Sequence, residues 1–169
     1  ETRIETIFPN EKTNEVLSAL FATHPYEEVA YDLYPIRNNY PLVGDGMIGE
    51  LAQPMETMEF LAFIKETFHS GAIKYTASNK KTISKVAVCG GSGSFLIKNA
   101  LQQKADIFIS ADMKYHDFFL ANNSLILADI GHYESEQYTK ELFYELLNKN
   151  FYNFAIQISK VNTNPINYL

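Results

Sequence analysis

The chain is poor in cysteine and in basic charge, and it has no long apolar run. Its single cysteine, Cys89, excludes an intrachain disulfide framework and suits a reducing, cytoplasmic compartment. The net charge is −6, and no basic cluster exceeds Lys80 and Lys81, which argues against a nucleic-acid-binding protein. No apolar run approaches the roughly 18 residues of a membrane span. No basic start followed by an apolar core marks a signal peptide.

Residues 1–80 alternate between strand-like and helical patterns. The order is strand, helix, strand, strand, helix, strand, with the helices at about 11–23 and 56–69. This βαββαβ order predicts a ferredoxin-like domain with one antiparallel sheet and both helices on one face. The strand patterns are "TRIETIFP", "EVAYDLYP", "MIGEL" and "AIKYTA", and the polar stretch "SNKKT" is the predicted linker.

Residues 81–169 follow a stricter rhythm, in which nearly continuous apolar strands alternate with helices. This rhythm predicts an α/β half-domain with a parallel or mixed sheet, and the chain as a whole is α/β (α+β overall). Right-handed crossovers would gather the turns 89–94, 110–114 and 129–136 at one sheet edge, where open α/β sheets bind ligands. The strands are "ISKVAVC", "DIFIS", "LILAD" and "NFAIQI", and the helices are "FLIKNALQQ", "KYHDFFLAN" and about 133–149.

His132 and Glu136 follow a glycine and stand four residues apart, on one face of the predicted helix. An imidazole and a carboxylate so placed could hold one divalent ion, or the carboxylate could bridge two. Alternatively, Glu134 and Glu136 complement the helix dipole in its first turn. Spacing alone favours the dipole interpretation over the metal interpretation. The position at the sheet edge, where ligands bind, makes the two interpretations more nearly equal.

The glycine turn consists of Gly90, Gly91, Ser92 and Gly93. Its backbone N–H groups and the following helix could cradle an anion. It matches neither a Walker loop nor a GxGxxG fingerprint, and a tight turn that needs positive φ explains it equally. The neighbouring Cys89 could be a nucleophile beside a histidine, although a buried, inert cysteine is far more common.

The stretch "SADMKYHD" places Asp112, Lys114 and His116 at the second convergent turn. They could supply a carboxylate that orients a metal ligand, a cation for a phosphate and a general base. The alternative is that Asp112 caps the helix and that Lys114 and His116 are solvated.

Five motifs, taken in order, resemble the Nif-three-like family, also called the YbgI or GTP cyclohydrolase I type 2 homologue family. They are "HPYEEVAYDLYP", "VAVCGGSGSF", "ADIFISADMKYHD", "ADIGHYESE" and "NTNPI". The resemblance implies that residues 1–80 are an insert similar to CutA and PII proteins, and that residues 81–169 are the C-terminal half of the family fold. The family's His-His-Pro motif does not occur, and the start at Glu1 without methionine fits a chain cut upstream of the insert.

The resemblance also implies a centre of two divalent metal ions, such as Zn, Fe, Mn or Mg. By match to the family's glycine-histidine-x-x-x-glutamate motif, His132 and Glu136 become metal ligands, while Asp112 stands where glutamate is usual. Because two protein ligands are too few for a closed site, we expect this chain alone to bind metal weakly and to be inactive.

The implied function is a metal-dependent hydrolase that acts on a nucleotide-like or phosphorylated small molecule. The alternative is a non-enzymatic metal- and ligand-binding regulatory or scaffold protein with a PII-like sensing domain. The resemblance further implies that the protein associates with itself, as hexamers in the longer family members.

Overall fold

The structure, a computed structural model, describes residues 2–38 and 43–169. The chain divides into two compact units, residues 1–40 and residues 41–169. In the first unit, a 3₁₀ turn at Asn10–Lys12 leads into helix α1, Thr13–Thr23. The flanking segments 2–9 and 24–38 form no regular strand.

The second unit is built on a five-stranded mixed sheet with the order β1-β3-β4-β5-β2. The strands are β1 (Met47–Glu56), β2 (Lys74–Tyr75), β3 (Thr82–Ser92), β4 (Ile107–Ala111) and β5 (Ile126–Asp129). The helices are α2 (Thr57–Thr67), α3 (Ile97–Gln102), α4 (His132–Glu136) and α5 (Thr139–Asn150). Strands β3, β4 and β5 are parallel, and β1 and β2 pair antiparallel at the two edges. The mixed α/β fold that the sequence predicts is thus confirmed.

The sheet is covered on both faces because successive residues of a strand point to opposite sides. Phe108 and Leu127 pack against Ile97 of α3 on one face. Ile107 and Ile126 pack on the other face in a cluster that includes α2. Every residue of β4 and β5 is buried, which explains why these strands read as unbroken apolar runs.

The predicted ferredoxin-like domain over residues 1–80 is corrected by the strand pairing. Strand β1 pairs with β3, as in the pair Ile48 and Ala87, and β2 pairs with β5. The two segments expected as its first strands, "TRIETIFP" and "EVAYDLYP", form no regular strand. The division between compact units falls near residue 40 instead of residue 80. Periodicity indicates which segments can form strands, but it does not specify which strand each one pairs with.

Three further elements differ from the prediction. The helix expected over 133–149 is two helices, because α4 ends at Glu136 and α5 begins at Thr139. The segment "KYHDFFLAN" forms a 3₁₀ helix at Tyr115–Ala121. The segment "NFAIQI" forms no strand, and β2 is the strand that pairs with β5 at this edge of the sheet. Within the described residues, no helix is both long and apolar enough to cross a membrane.

Asp106 fastens the chain before β4 to the start of β3. Its Oδ2 accepts from the backbone N–H of Ser84 at 2.9 Å and of Lys85 at 2.8 Å, and Lys80 Nζ donates to Oδ1. Burial raises the pKa of Asp106, but the hydrogen bonds from Lys80 and the two N–H groups outweigh it, so the pKa lies below its ordinary value.

Asp106→Asn is expected to lower the free energy of unfolding by about 1–3 kcal/mol near pH 7, because three donors lose a charged acceptor. A depressed folded pKa gives a contribution that is present above the ordinary carboxyl pKa and is lost as the pH falls through the folded value. Urea unfolding should therefore show a smaller difference near pH 3. The exposed Asp32→Asn is the control, and an equal loss at both pH values would contradict the role of the charge.

Candidate metal centre

The turns after β4 and β5 are joined by a buried carboxylate, Asp129. Its Oδ2 accepts from the Met113 N–H at 3.1 Å and from Lys74 Nζ at 2.8 Å, and its Oδ1 accepts from the Gly131 N–H at 3.2 Å. Gly131 has φ +97°, which lets the chain leave β5 and enter α4 at once. As a result, His132 begins α4 close to the residues that follow β4.

His132 lies between two carboxylates. Its Nδ1 donates to Asp112 Oδ2 at 2.6 Å, and its Nε2 lies 3.2 Å from Glu136 Oε2. The hydrogen bond with Asp112 raises the pKa of His132, partial burial opposes the shift, and the charges of Asp112 and Glu136 add to it. Asp112 has φ +54°, a conformation that aspartate tolerates better than most residues. Sequence spacing therefore identified a pair that the structure brings together with Asp112.

Gly91 lies directly beneath this group. A Cβ at this position would come within 2.4 Å of Glu136 Oε1 and 3.3 Å of His132 Cε1. The backbone also has φ +60° here, in the left-handed region that favours glycine. A side chain at this position would force the Glu136 carboxylate away from where it lies beside His132.

Two serines that the sequence did not single out hold the glycine turn. The Gly91 N–H donates to Ser135 Oγ at 2.8 Å, and the Gly93 N–H donates to Ser110 Oγ at 3.0 Å. Two amides of the predicted anion cradle are therefore already engaged. Of the rest of the cradle, Gly90 and Ser92 lie in strand β3. Each serine lies far along the chain from its glycine, so no local pattern could have shown these contacts.

Lys114 and His116 lie at the start of the 3₁₀ helix Tyr115–Ala121, which follows Asp112. The Lys114 N–H donates to Asp117 Oδ2 at 2.9 Å. The His116 ring packs against Phe119, with 6.4 Å between ring centroids. Neither lines the cavity described below. The geometry gives no support to the catalytic roles considered for these two residues.

Cys89 is buried on the α3 side of the sheet. Its Sγ donates to the backbone oxygen of Asp45 at 3.1 Å, and burial is the main cause that raises the pKa of its thiol. A protonated, buried thiol is a poor nucleophile. The structure thus favours the inert interpretation.

A cavity of about 990 Å³ opens beside the His132–Glu136 pair. Asp112, His132 and Glu136 line one side, and the C-terminal segment 159–168 lines another. Buried Glu134 fastens that segment, because its Oε1 accepts from Asn164 Nδ2 at 3.3 Å. Pockets of a few hundred to about 1,000 Å³ are typical of small-molecule sites.

The donor set fits part of a metal centre. Two ligands that bind one ion at about 2.0–2.2 Å lie roughly 3 Å apart, as His132 Nε2 and Glu136 Oε2 do at 3.2 Å. A carboxylate on the other ring nitrogen, here Asp112, is the usual support of a metal-binding histidine. Across residues 2–38 and 43–169, however, no group of three His, Cys, Asp or Glu side chains is placed to hold an ion. The chain therefore offers two ligands and their support, short of a closed site.

Comparison with known families shows which family the chain belongs to. The family described as Duf34/NIF3 (NGG1p interacting factor 3) has a model that matches residues 9–165. The chain belongs to this family. The family resemblance that the five motifs indicated is therefore confirmed.

Two curated relatives share a name. The Bacillus subtilis (strain 168) protein named GTP cyclohydrolase 1 type 2 homolog is 32% identical over 177 residues, which cover 100% of this chain and 46% of that protein. The Halalkalibacterium halodurans protein of the same name is 35% identical over 175 residues, again covering 100% and 46%. The chain spans about half the length of the curated relatives it matches.

Two solved structures have the same fold as this chain. A Bacillus cereus protein described as related to NIF3 superposes with a TM-score of 0.74 at 30% identity, covering 96% of this chain and 46% of that one. A Staphylococcus aureus protein superposes with a TM-score of 0.75 at 28% identity, covering 98% and 55%.

Gly91→Ala is expected to displace the Glu136 carboxylate and to destabilise the fold by about 1–2 kcal/mol, the cost of a left-handed alanine. Urea unfolding measures the loss, and a crystal structure of the variant measures the separation of His132 and Glu136. Gly49→Ala is the control, because a Cβ there meets nothing within 4 Å. A variant that kept the 3.2 Å separation would contradict this account of the glycine.

Asp112→Asn is expected to lower the pKa of His132 toward its ordinary value, because the hydrogen bond with the Asp112 carboxylate is the main cause of the upward shift. Asparagine also tolerates the positive φ at this position. An NMR pH titration of the His132 ring measures the change. Asp117→Asn, in the 3₁₀ helix that follows, should leave the titration of His132 as it is. An unchanged His132 pKa in Asp112→Asn would show that the contact does not govern the ring.

Proposed function

We propose that this chain carries part of a divalent-metal centre in a metal-dependent hydrolase that acts on a nucleotide-like or otherwise phosphorylated small molecule. The observation that carries the proposal is the approach of His132 Nε2 to Glu136 Oε2, with Asp112 bonded to the far ring nitrogen. The name of the relatives, GTP cyclohydrolase 1 type 2 homolog, supports a nucleotide-like substrate.

Each residue of the centre would have a separate task. Asp112 fixes the tautomer and the orientation of the His132 ring, so that Nε2 faces the carboxylate of Glu136. Gly91 leaves space for both side chains. When bound, a divalent ion would polarise a phosphoryl or carbonyl oxygen of the substrate.

The adjacent cavity would hold the body of the substrate. Ser159 and Thr163 offer polar groups, and Val161 and Ile166 offer apolar contact. Lys74 also lines the cavity, but it is paired with Asp129, so a phosphate would have to compete with that carboxylate. A small, partly polar molecule suits such a lining.

The complete centre would need donors from outside this chain. An imidazole and a carboxylate suit Zn, Fe and Mn, whereas Mg prefers oxygen ligands. The relatives are about twice as long as this chain. Further ligands for two ions would come from a segment like the one that only the relatives show, from a neighbouring chain or from water.

Calorimetric titration with Zn²⁺ or Mn²⁺ tests the assignment of the ligands. We expect weak binding by this chain, because only two side chains would hold the ion, and loss of that binding in His132→Ala. His116→Ala is the matched control, since that imidazole lies outside the cavity. Tight binding that survives His132→Ala would place the site elsewhere.

The alternative is a non-enzymatic binding or scaffold protein, and it draws on the observation that residues 1–40 form a compact unit of their own. A turnover assay separates this alternative from the hydrolase. The natural protein that contains this sequence, at its full length, is assayed against nucleotides and phosphoesters with added Mn²⁺, Fe²⁺ or Zn²⁺. Metal-dependent turnover that His132→Ala abolishes is expected. No turnover across the panel would favour a regulatory protein.

The proposal includes self-association. Helix α5 has no buried residue, and it exposes Leu142, Phe143, Leu146 and Leu147. Clustered apolar side chains of this kind usually mark an interface. Light scattering should show oligomers whose mass falls in Phe143→Glu, because a charge in an apolar interface is costly. A chain that stayed monomeric at high concentration would contradict this part of the proposal.

A further inference from the structure

The glycine turn is fastened from two sides. Besides accepting from the Gly93 N–H, Ser110 Oγ donates to the Gly91 carbonyl at 3.0 Å. The opposite side of Gly91 is bound to α4 through its N–H and Ser135. Because the Gly91 and Gly93 amides already have partners, the turn is better suited to contact α4 and β4 than to cradle a free anion.

Ser135 links this turn to the helix that carries the candidate ligands. Its Oγ accepts from the Gly91 N–H at 2.8 Å and donates to the His132 carbonyl at 2.8 Å. A hydroxyl has one proton to donate and lone pairs to accept, so a single side chain satisfies both groups. Ser135 also stands directly before Glu136 in the sequence, so it fastens α4 between its two candidate ligands.

The distance between the turn and α4 determines where the Glu136 carboxylate can rest. Glu136 Oε1 lies 2.4 Å from the point that a Cβ on Gly91 would occupy, and Glu136 Cγ lies 3.8 Å from the corresponding point on Gly90. The carboxylate thus sits on the bare backbone of the turn. Functional groups must be held within about 0.5 Å of a productive geometry, so a shift of the turn by more than this would misplace the carboxylate.

We propose that Ser135 is a positioning residue, which clamps the glycine turn to α4 and so seats Glu136 opposite His132 Nε2. This inference rests on the proposed metal centre, and it adds a residue that holds the two candidate ligands in place. It also gives the glycine turn a role other than anion binding, because Gly91 serves as the seat of a metal ligand.

The test compares Ser135→Ala, which removes the clamp, with Ser135→Thr, which keeps the hydroxyl. Ser124→Ala is the matched control, because Ser124 Oγ also donates to a carbonyl three residues earlier, that of Ala121 at 3.1 Å. Two readouts are needed on the whole chain. One is the NMR hydrogen exchange of the Gly91 amide without metal, and the other is the Kd and visible spectrum of bound Co²⁺.

In Ser135→Ala, the Gly91 amide should exchange its hydrogen faster than in the wild type. The Kd for Co²⁺ should rise by about 10–100-fold, the usual effect of losing a residue that supports a metal ligand. Ser135→Thr should restore both readouts, and Ser124→Ala should match the wild type. Faster Gly91 exchange with an unchanged Co²⁺ Kd and spectrum would overturn the proposal, because the clamp would then have no effect on the ligands.

A wild-type chain that takes up no Co²⁺ would count against the proposed metal centre by itself. The positioning role is then decided in the metal-free protein, by the nuclear Overhauser contact between the His132 and Glu136 side chains. Loss of that contact in Ser135→Ala supports the role, and its retention overturns it.

Discussion

The hydrogen bond between Asp112 and His132 Nδ1 is the contact on which the candidate site depends. It joins the turn after β4 to the helix after β5, and the parallel register makes it possible because Ser110 lies beside Asp129 in the sheet. Residues that follow two neighbouring parallel strands leave the sheet at the same edge. Once the ring is fixed through Nδ1, its Nε2 can face Glu136, which lies one helical turn further along α4.

The charges around Asp112, His132 and Glu136 favour a bound cation. Asp112, Asp129 and Glu136 gather at one edge of a chain whose net charge is −6. Lys74 offsets the charge of Asp129, and Asp112 and Glu136 favour a proton on His132, which raises the pKa of that ring. Because a metal binds only the neutral imidazole, the ion and that proton would compete for the same place. The raised pKa of His132 is thus a property of the metal-free chain.

Local sequence patterns predicted the parts of the site that depend on local geometry. The apolar runs of β4 and β5 were identifiable because both strands are buried on both faces. The His132–Glu136 pair follows from helical spacing, and Asp112 follows from the convergence of strand ends. The family kinship was equally accessible, since its motifs are short and lie in fixed order.

What the sequence missed depends on contacts between distant segments. Strand β1 has the length and pattern of a strand in any sheet, and only its pairing with β3 removes it from a ferredoxin-like domain. Lys114 and His116 were grouped with Asp112 because they are close in sequence, yet the positive φ of Asp112 and the following 3₁₀ helix lead the chain away. Ser135 lies in helix α4 and was missed because its partner, Gly91, lies on strand β3, 44 residues earlier in the chain.

The most direct test of the central claim is anomalous diffraction at the zinc edge, from crystals of this chain grown with Zn²⁺. The account predicts one peak between His132 Nε2 and the Glu136 carboxylate, with Asp112 still bonded to Nδ1. An ordered zinc peak elsewhere, with none at this pair, would contradict the assignment of His132 and Glu136 as metal ligands.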